Sequence, residues 1–141
     1  MLILPLLLAA PLAVQSAGTG DIAVTLTGIR NSRGVVHLCL TSHREQFLKC
    51  KDDKQALAMT VPAAKAQRLS FLHVKPGTYA LLVIHDENGN GKLDMMMGIP
   101  REGFGFSSNP KIRMRAPRFD EVRFAVQPGP QSHSIRLHYV L

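Results

Sequence analysis

Wherever this chain shows a pattern, its apolar residues recur at every second position. Ile22, Val24 and Leu26 alternate with polar or small residues, and after a turn at Asn31 to Gly34 the same period returns at Val36, Leu38 and Leu40. A two-residue period puts one face of an extended strand on the core and the other outward, so the two runs predict an antiparallel pair. Ala56 to Val61 reads as a weaker strand stopped by Pro62. Leu69 to Val74 and Thr78 to His85 flank Pro76-Gly77, where proline presets one backbone angle and glycine accepts the positive one, which predicts a hairpin through a type II turn. Tyr79 to Ile84 is apolar at both parities and predicts a central strand covered on two faces. Gly98 to Pro110 reads as a long ordered loop, and two closing strands follow at Val122, Phe124, Val126 and at Ile135, Leu137, Tyr139. About seven short strands without a convincing amphipathic helix predict an all-β fold, a single antiparallel β-sandwich of immunoglobulin-like or transthyretin-like order. Patterning does not choose between the two orders, and no internal repeat is present.

The first charged residue is Asp21. Before it lie Leu2-Ile3-Leu4, Leu6-Leu7-Leu8 and Ala9 to Ala13, an apolar run too short to span a bilayer and interrupted by Pro5 and Pro11. Residues 1–17 therefore read as a secretory signal peptide, with small residues at Ser16 and Ala17 for cleavage, and 18–141 as one domain in the periplasm or outside the cell. That placement changes what the charge means. A formal +7 would suggest nucleic acid inside a cell. Here the basic residues are dispersed and aromatics make up only 6%, too few for a base-stacking platform, so nucleic acid is set aside in favour of cell-envelope components or anionic polymers. It also changes what the cysteines mean. Cys39 and Cys50 form an even count in an exported chain, which favours a disulfide over two buried thiols, and without a Cys-x-x-Cys spacing a redox role has little support.

The candidate chemistry is concentrated in Asp86-Glu87-Asn88-Gly89-Asn90-Gly91-Lys92-Leu93-Asp94. Counted as a calcium loop, positions one, three, five and nine are Asp86, Asn88, Asn90 and Asp94, the sharp-turn position is Gly91, and position seven offers the Lys92 carbonyl. Position twelve is Met97, so an EF-hand is excluded; Glu102 becomes the candidate for the missing carboxylate after a turn at Gly98 and Pro100. The competing explanation is a plain turn, since Asn88-Gly89 and Asn90-Gly91 are both hairpin dipeptides. Charge favours a cation: Asp86, Glu87, Asp94 and Glu102 supply four of the ten acids of a basic chain, and oxygen-only ligands select calcium over zinc or copper.

Other constellations are thinner. His37, His73 and His85 fall on predicted strands without a metal-binding spacing, and Met95 to Met97 reads as gap-filling rather than as a copper site. No catalytic residue is assigned, and the chain reads as a non-enzymatic binding or envelope-associated module. The alternative is a hydrolase using Asp86 or Glu102 beside His85 in a cleft between two loops. Lys111, Arg113 and Arg115 lie on one side of an extended segment, where they protect a sheet edge or contact anionic polymers or membranes.

His85 to Asp94, followed by Gly98-Ile99-Pro100-Arg101-Glu102-Gly103-Phe104-Gly105-Phe106-Ser107 and preceded by Pro76-Gly77-Thr78-Tyr79-Ala80, closely resembles the bacterial family catalogued as domain of unknown function 2141. The resemblance implies a small exported β-sandwich with no established activity. Its pattern carries over onto Asp86, Asn88, Asn90, Gly91 and Asp94, and onto Pro100, Glu102, Gly103, Phe104, Gly105 and Phe106, whereas Met95 to Met97 replaces a connection that is often more polar.

Overall fold

The computed structural model describes residues 18–91, 95–96 and 99–141; the signal peptide expected at residues 1–17, and Lys92, Asp94, Met97 and Gly98, lie outside them. The fold is mostly β. Its strands are β1 (Gly20–Thr27), β2 (Val35–Thr41), β3 (Leu57–Pro62), β4 (Arg68–Val74), β5 (Gly77–Asp86), β6 (Met95–Met96), β7 (Ile99–Pro100), β8 (Gly103–Phe106), β9 (Phe124–Val126) and β10 (Gly129–Arg136). A 3-10 segment covers Arg44–Asp52, and one α-helical turn, α1, covers Phe119–Val122. Among the described residues no helix is long and apolar enough to cross a membrane.

Two sheets carry the structure. In the first, β1 runs between β10 and β4; in the second, the order is β3-β2-β5-β8, with β9 on the opening residues of β5. The two-residue period built these strands as expected: Ile22, Val24 and Leu26 of β1 and Val36, Leu38 and Leu40 of β2 are all buried. They meet Phe71, Val74, Leu81, Val83 and Ile135 in one apolar cluster fed by both sheets. Each such side chain stabilises by about 1.5–3 kcal/mol on leaving water.

Pairing departs from the sequence expectation in three places. β1 and β2 do not form a hairpin: β1 pairs with β10 and β4, β2 with β3 and β5, and the Asn31 to Gly34 turn carries the chain from one sheet to the other. β4 and β5 likewise part company at Pro76, and Gly77 opens β5 without a positive φ, so the type II hairpin is absent. Local turn chemistry cannot report which sheet a strand joins; burial of the two apolar faces against each other decides it. The third departure is direction, since β1 and β10 run parallel from Gly20 opposite Gly129 to Thr27 opposite Arg136.

Two segments also differ locally. The expected loop from Gly98 to Pro110 contains β7 and β8, and β8 extends the second sheet as an antiparallel partner of β5. Its glycines explain why no strand pattern was visible there. A side chain at Gly103 would run into the Tyr139 ring, so the inner face of β8 is bare backbone against its neighbours while Phe104 and Phe106 occupy the outer face. Val122, expected to open a strand, instead closes the turn α1, and the strand β9 begins at Phe124.

The outer face of the second sheet has its own cover. Cys39 and Cys50 form the expected disulfide, with Cα atoms 6.0 Å apart, and pin the 3-10 segment to β2. A closed loop of this length contributes about 3 kcal/mol in the chain-entropy description. Phe47 from that segment meets Phe106 and Phe119 edge-on, at ring centroids 6.3 and 6.0 Å apart, and joins Ala80 and Val122 in a second apolar cluster. β5 is thereby covered on both faces, as its double apolar pattern predicted.

Candidate functional site

Strand β5 ends in the acidic loop, and its alternation assigns the last two side chains to different faces. Leu81, Val83 and His85 point into the inter-sheet cluster; Leu82, Ile84 and Asp86 point the other way. Asp86, fully buried, folds the loop back on itself. One of its oxygens, Oδ2, accepts the Gly91 N–H at 2.7 Å, and the other accepts the Asn90 N–H at 3.1 Å. Asn88 Oδ1 accepts the same Asn90 N–H at 3.2 Å, and Gly89 and Gly91 both take the positive φ that the Asn-Gly dipeptides foretold.

A partner not foreseen completes the Asp86 carboxylate. His37 on β2 donates from Nε2 to Asp86 Oδ2 at 3.0 Å, while its Nδ1 meets the Thr60 hydroxyl of β3 at 2.9 Å. Burial by itself pushes the Asp86 carboxyl up, but the His37 hydrogen bond and the two backbone N–H groups outweigh it and hold the group below the usual carboxylate range. Period-2 alternation places His37 on the outward parity of β2; only the β2–β5 register, with His37 opposite Ile84, brings it within reach.

Glu87 turns away from the loop into a basic clasp. Arg30 reaches it through both Nε and Nη2, Arg33 at 3.0 Å, and the Asn31 amide at 2.8 Å. Burial raises the Glu87 carboxyl, and Arg30 with Asn31 more than offsets this, so it too lies low. Gly34 lets the clasp close: at a φ of +66° it packs so tightly that a Cβ would strike the Asp86 carbonyl oxygen. Two of the four clustered acids thus have charge partners within the chain.

Glu102 is delivered to the same corner. The β5–β8 register runs from Leu82 opposite Phe106 to His85 opposite Gly103, and buried Glu102 is the residue that immediately precedes β8. Asp86, Asn88 and Asn90 are tied together at the loop base through the Asn90 N–H; Lys92 and Asp94 lie outside the described residues. Among the described residues no group of three His, Cys, Asp or Glu side chains is placed to share a metal, so any cation here would draw on amide and backbone oxygens as well.

His85 does not join these acids. Its Nε2 donates to the Arg33 carbonyl at 2.7 Å and its Nδ1 accepts from the Tyr139 hydroxyl at 2.8 Å, on the inner face. Two surface depressions, one of about 480 Å³ beside Arg44, Phe47 and Arg115 and one of about 360 Å³ beside His43 and Asp53, are not lined by Asp86, Glu102 or His85. The hydrolase pairing gains no support from this geometry. His73 is exposed on β4 and does not converge with the other two histidines.

A second histidine–carboxylate group flanks the disulfide segment. Asp53 accepts the Thr41 hydroxyl at 2.6 Å, His43 Nδ1–H at 2.7 Å and the Gln55 N–H at 3.0 Å. The Thr41 hydrogen bond does most to hold Asp53 below the usual range, against burial and with His43 and Gln55 adding to it. The signal for it lay in the cysteines: joining Cys39 to Cys50 brings the residues just outside the segment together.

The basic run is also placed differently from the expectation. Lys111, Arg113 and Arg115 sit in an irregular segment rather than on a strand. Arg115 grips Glu121 with both terminal nitrogens at 2.9 and 2.8 Å, which, with the Arg118 N–H, pulls that carboxyl down to about 2.

No match to a curated protein or to a solved structure was found. The Asp86 loop, Glu102 and the Gly-Phe-Gly-Phe strand that carries it into place all fall within residues 24–134, which match the family described as "Uncharacterized protein conserved in bacteria (DUF2141)", and to that family the chain belongs.

Proposed function

We propose that the protein is an exported, non-enzymatic β-sandwich that acts as a binding module of the cell envelope, with calcium ordering the loop from Asp86 to Asp94. The observation that carries this reading is the loop folded back on buried Asp86 through the Asn90 and Gly91 N–H groups, with buried Glu102 next in the chain to the Gly103 that pairs with His85. Oxygen donors of this kind suit a hard cation. The apolar cluster shared by both sheets supports the sandwich, and a Cys39–Cys50 disulfide suits an oxidising compartment.

Calcium titration of the purified chain, read by calorimetry and by thermal melting, tests the loop. Calcium raises the melting temperature, by the equivalent of about 2.7 kcal/mol at a hundredfold excess over Kd, and Asn88→Ala with Asp94→Ala removes the increment. Absence of both heat and melting shift in the unmodified chain overturns the cation.

A further inference from the structure

We propose that the segment from Pro110 to Arg118 docks the domain on an anionic lipid surface, its basic side chains on the headgroups and Ile112 and Met114 in the acyl boundary. From Gly103 to Phe119 the chain carries no acidic residue, and Lys111, Ile112, Arg113, Met114 and Arg115 alternate basic with apolar. Met114 is fully exposed and Ile112 is 44% exposed. A core position for either would have been the cheaper outcome, so their joint exposure on one short segment marks a contact surface.

The electrostatics point the same way. Two of the nearby carboxylates are already taken, Asp120 by Arg44 and Arg123 and Glu121 by Arg115, while Glu45 lines the depression beside them. Lys111, Arg113 and Arg118 are exposed and enter no ion pair among the described residues, although Arg113 is close enough to Glu121 to help lower its carboxyl. The grip on Glu121 fixes the base of the segment, and Arg44 stacks over Phe119 at 5.3 Å beneath it. Leu48, 49% exposed, lines the same depression as Arg115, Ala116 and Pro117 and is followed by Lys49 and Lys51, which extends the mixed surface onto the 3-10 segment.

Charge by itself would suit a soluble polyanion equally well. The exposed apolar residues decide between the two, because a bilayer rewards cations at the headgroups together with apolar side chains beneath them, and a soluble polymer uses only the cations. This docking rests on the proposed export only for where the surface is met.

Cosedimentation with vesicles of phosphatidylcholine alone, or with phosphatidylglycerol added, tests it, with chelator present so that failure of the calcium reading is scored separately. All variants share one N-terminus, so any contribution of residues 1–17 cancels. The expected result is binding only to the vesicles with phosphatidylglycerol, weakened roughly fivefold by each of Lys111→Gln and Arg113→Gln. Met114→Asp weakens it about tenfold or more with an unchanged melting temperature, as its full exposure requires. No binding to the anionic vesicles overturns the proposal. So does equal binding by Met114→Asp with competition from soluble polyphosphate, which assigns the surface to polyanions.

Discussion

His85 and His37 sit one register step apart on neighbouring strands, yet alternation turns them to opposite faces of one sheet and into opposite kinds of site. His85 is sealed between the sheets with two neutral partners. Because the Arg33 carbonyl can only accept, Nε2 carries the proton, and Nδ1 takes the Tyr139 hydroxyl hydrogen. That hydroxyl in turn accepts the Arg30 N–H at 3.2 Å. A second proton on His85 would cost Tyr139 its donor role. His37 stands between a carboxylate and a hydroxyl that can donate or accept, on a face a third exposed, and can carry one proton or two without losing either hydrogen bond. The inner histidine is a structural strut, and the outer one is an adjustable counter-group for the loop.

The largest test of that contrast removes the strut. His85→Leu keeps the apolar volume but strands the Arg33 carbonyl and the Tyr139 hydroxyl, and it loosens the turn that clasps Glu87. Leaving such groups without partners costs about 3 kcal/mol, read as a lower midpoint in urea with little change in slope. A loss as small as that from an exposed surface substitution would show that His85 is not a strut.

Asp86 comes next, since it is buried like His85 but charged like the outer face. Asp86→Ala frees two backbone N–H groups and the His37 ring, for a loss of about 2 kcal/mol. Its pH signature separates it from the strut. A carboxyl whose folded pKa is lowered contributes fully above its unfolded value of about 4, and loses that contribution as pH falls through the folded value. Asp86, Glu87 and Asp53 all lie on this side. The carboxylate part of the acid response should therefore fall steeply below about pH 4 and be shallower in Asp86→Ala, beneath a gentler loss that begins at higher pH because burial lowers the pKa of His133 and His138. An equally steep fall in both proteins would remove Asp86 from the acid response.

The sequence made the strands legible because burial on one face leaves a two-residue period, and it made the Asn-Gly turns and the disulfide legible because each rests on chemistry within a few positions. What it hid depends on register. Pro76-Gly77 carries the hairpin signature, yet the strands it joins bury their faces in different sheets. Gly103 and Gly105 bear no side chains to alternate, so β8 looked like loop. Since β8 pairs Gly103 with His85 and β2 brings His37 to the Asp86 carboxylate, the neighbours of the acidic loop could not be read from its spacing. His85 was drawn toward Asp86 by adjacency in the chain, although adjacent residues of a strand face opposite ways.

The smallest effect gives the finest discrimination. If His37 serves as a counter-group, what matters at that position is a donor within reach of Asp86 Oδ2, not an imidazole. His37→Leu withdraws the donor and leaves Asp86 to its backbone partners, a loss of about 1 kcal/mol. His37→Gln can present an amide N–H from nearly the same place and should lose no more than about 0.5 kcal/mol. Equal losses for the two variants at neutral pH would mean that His37 acts through ring packing, and the distinction between strut and counter-group would then fall.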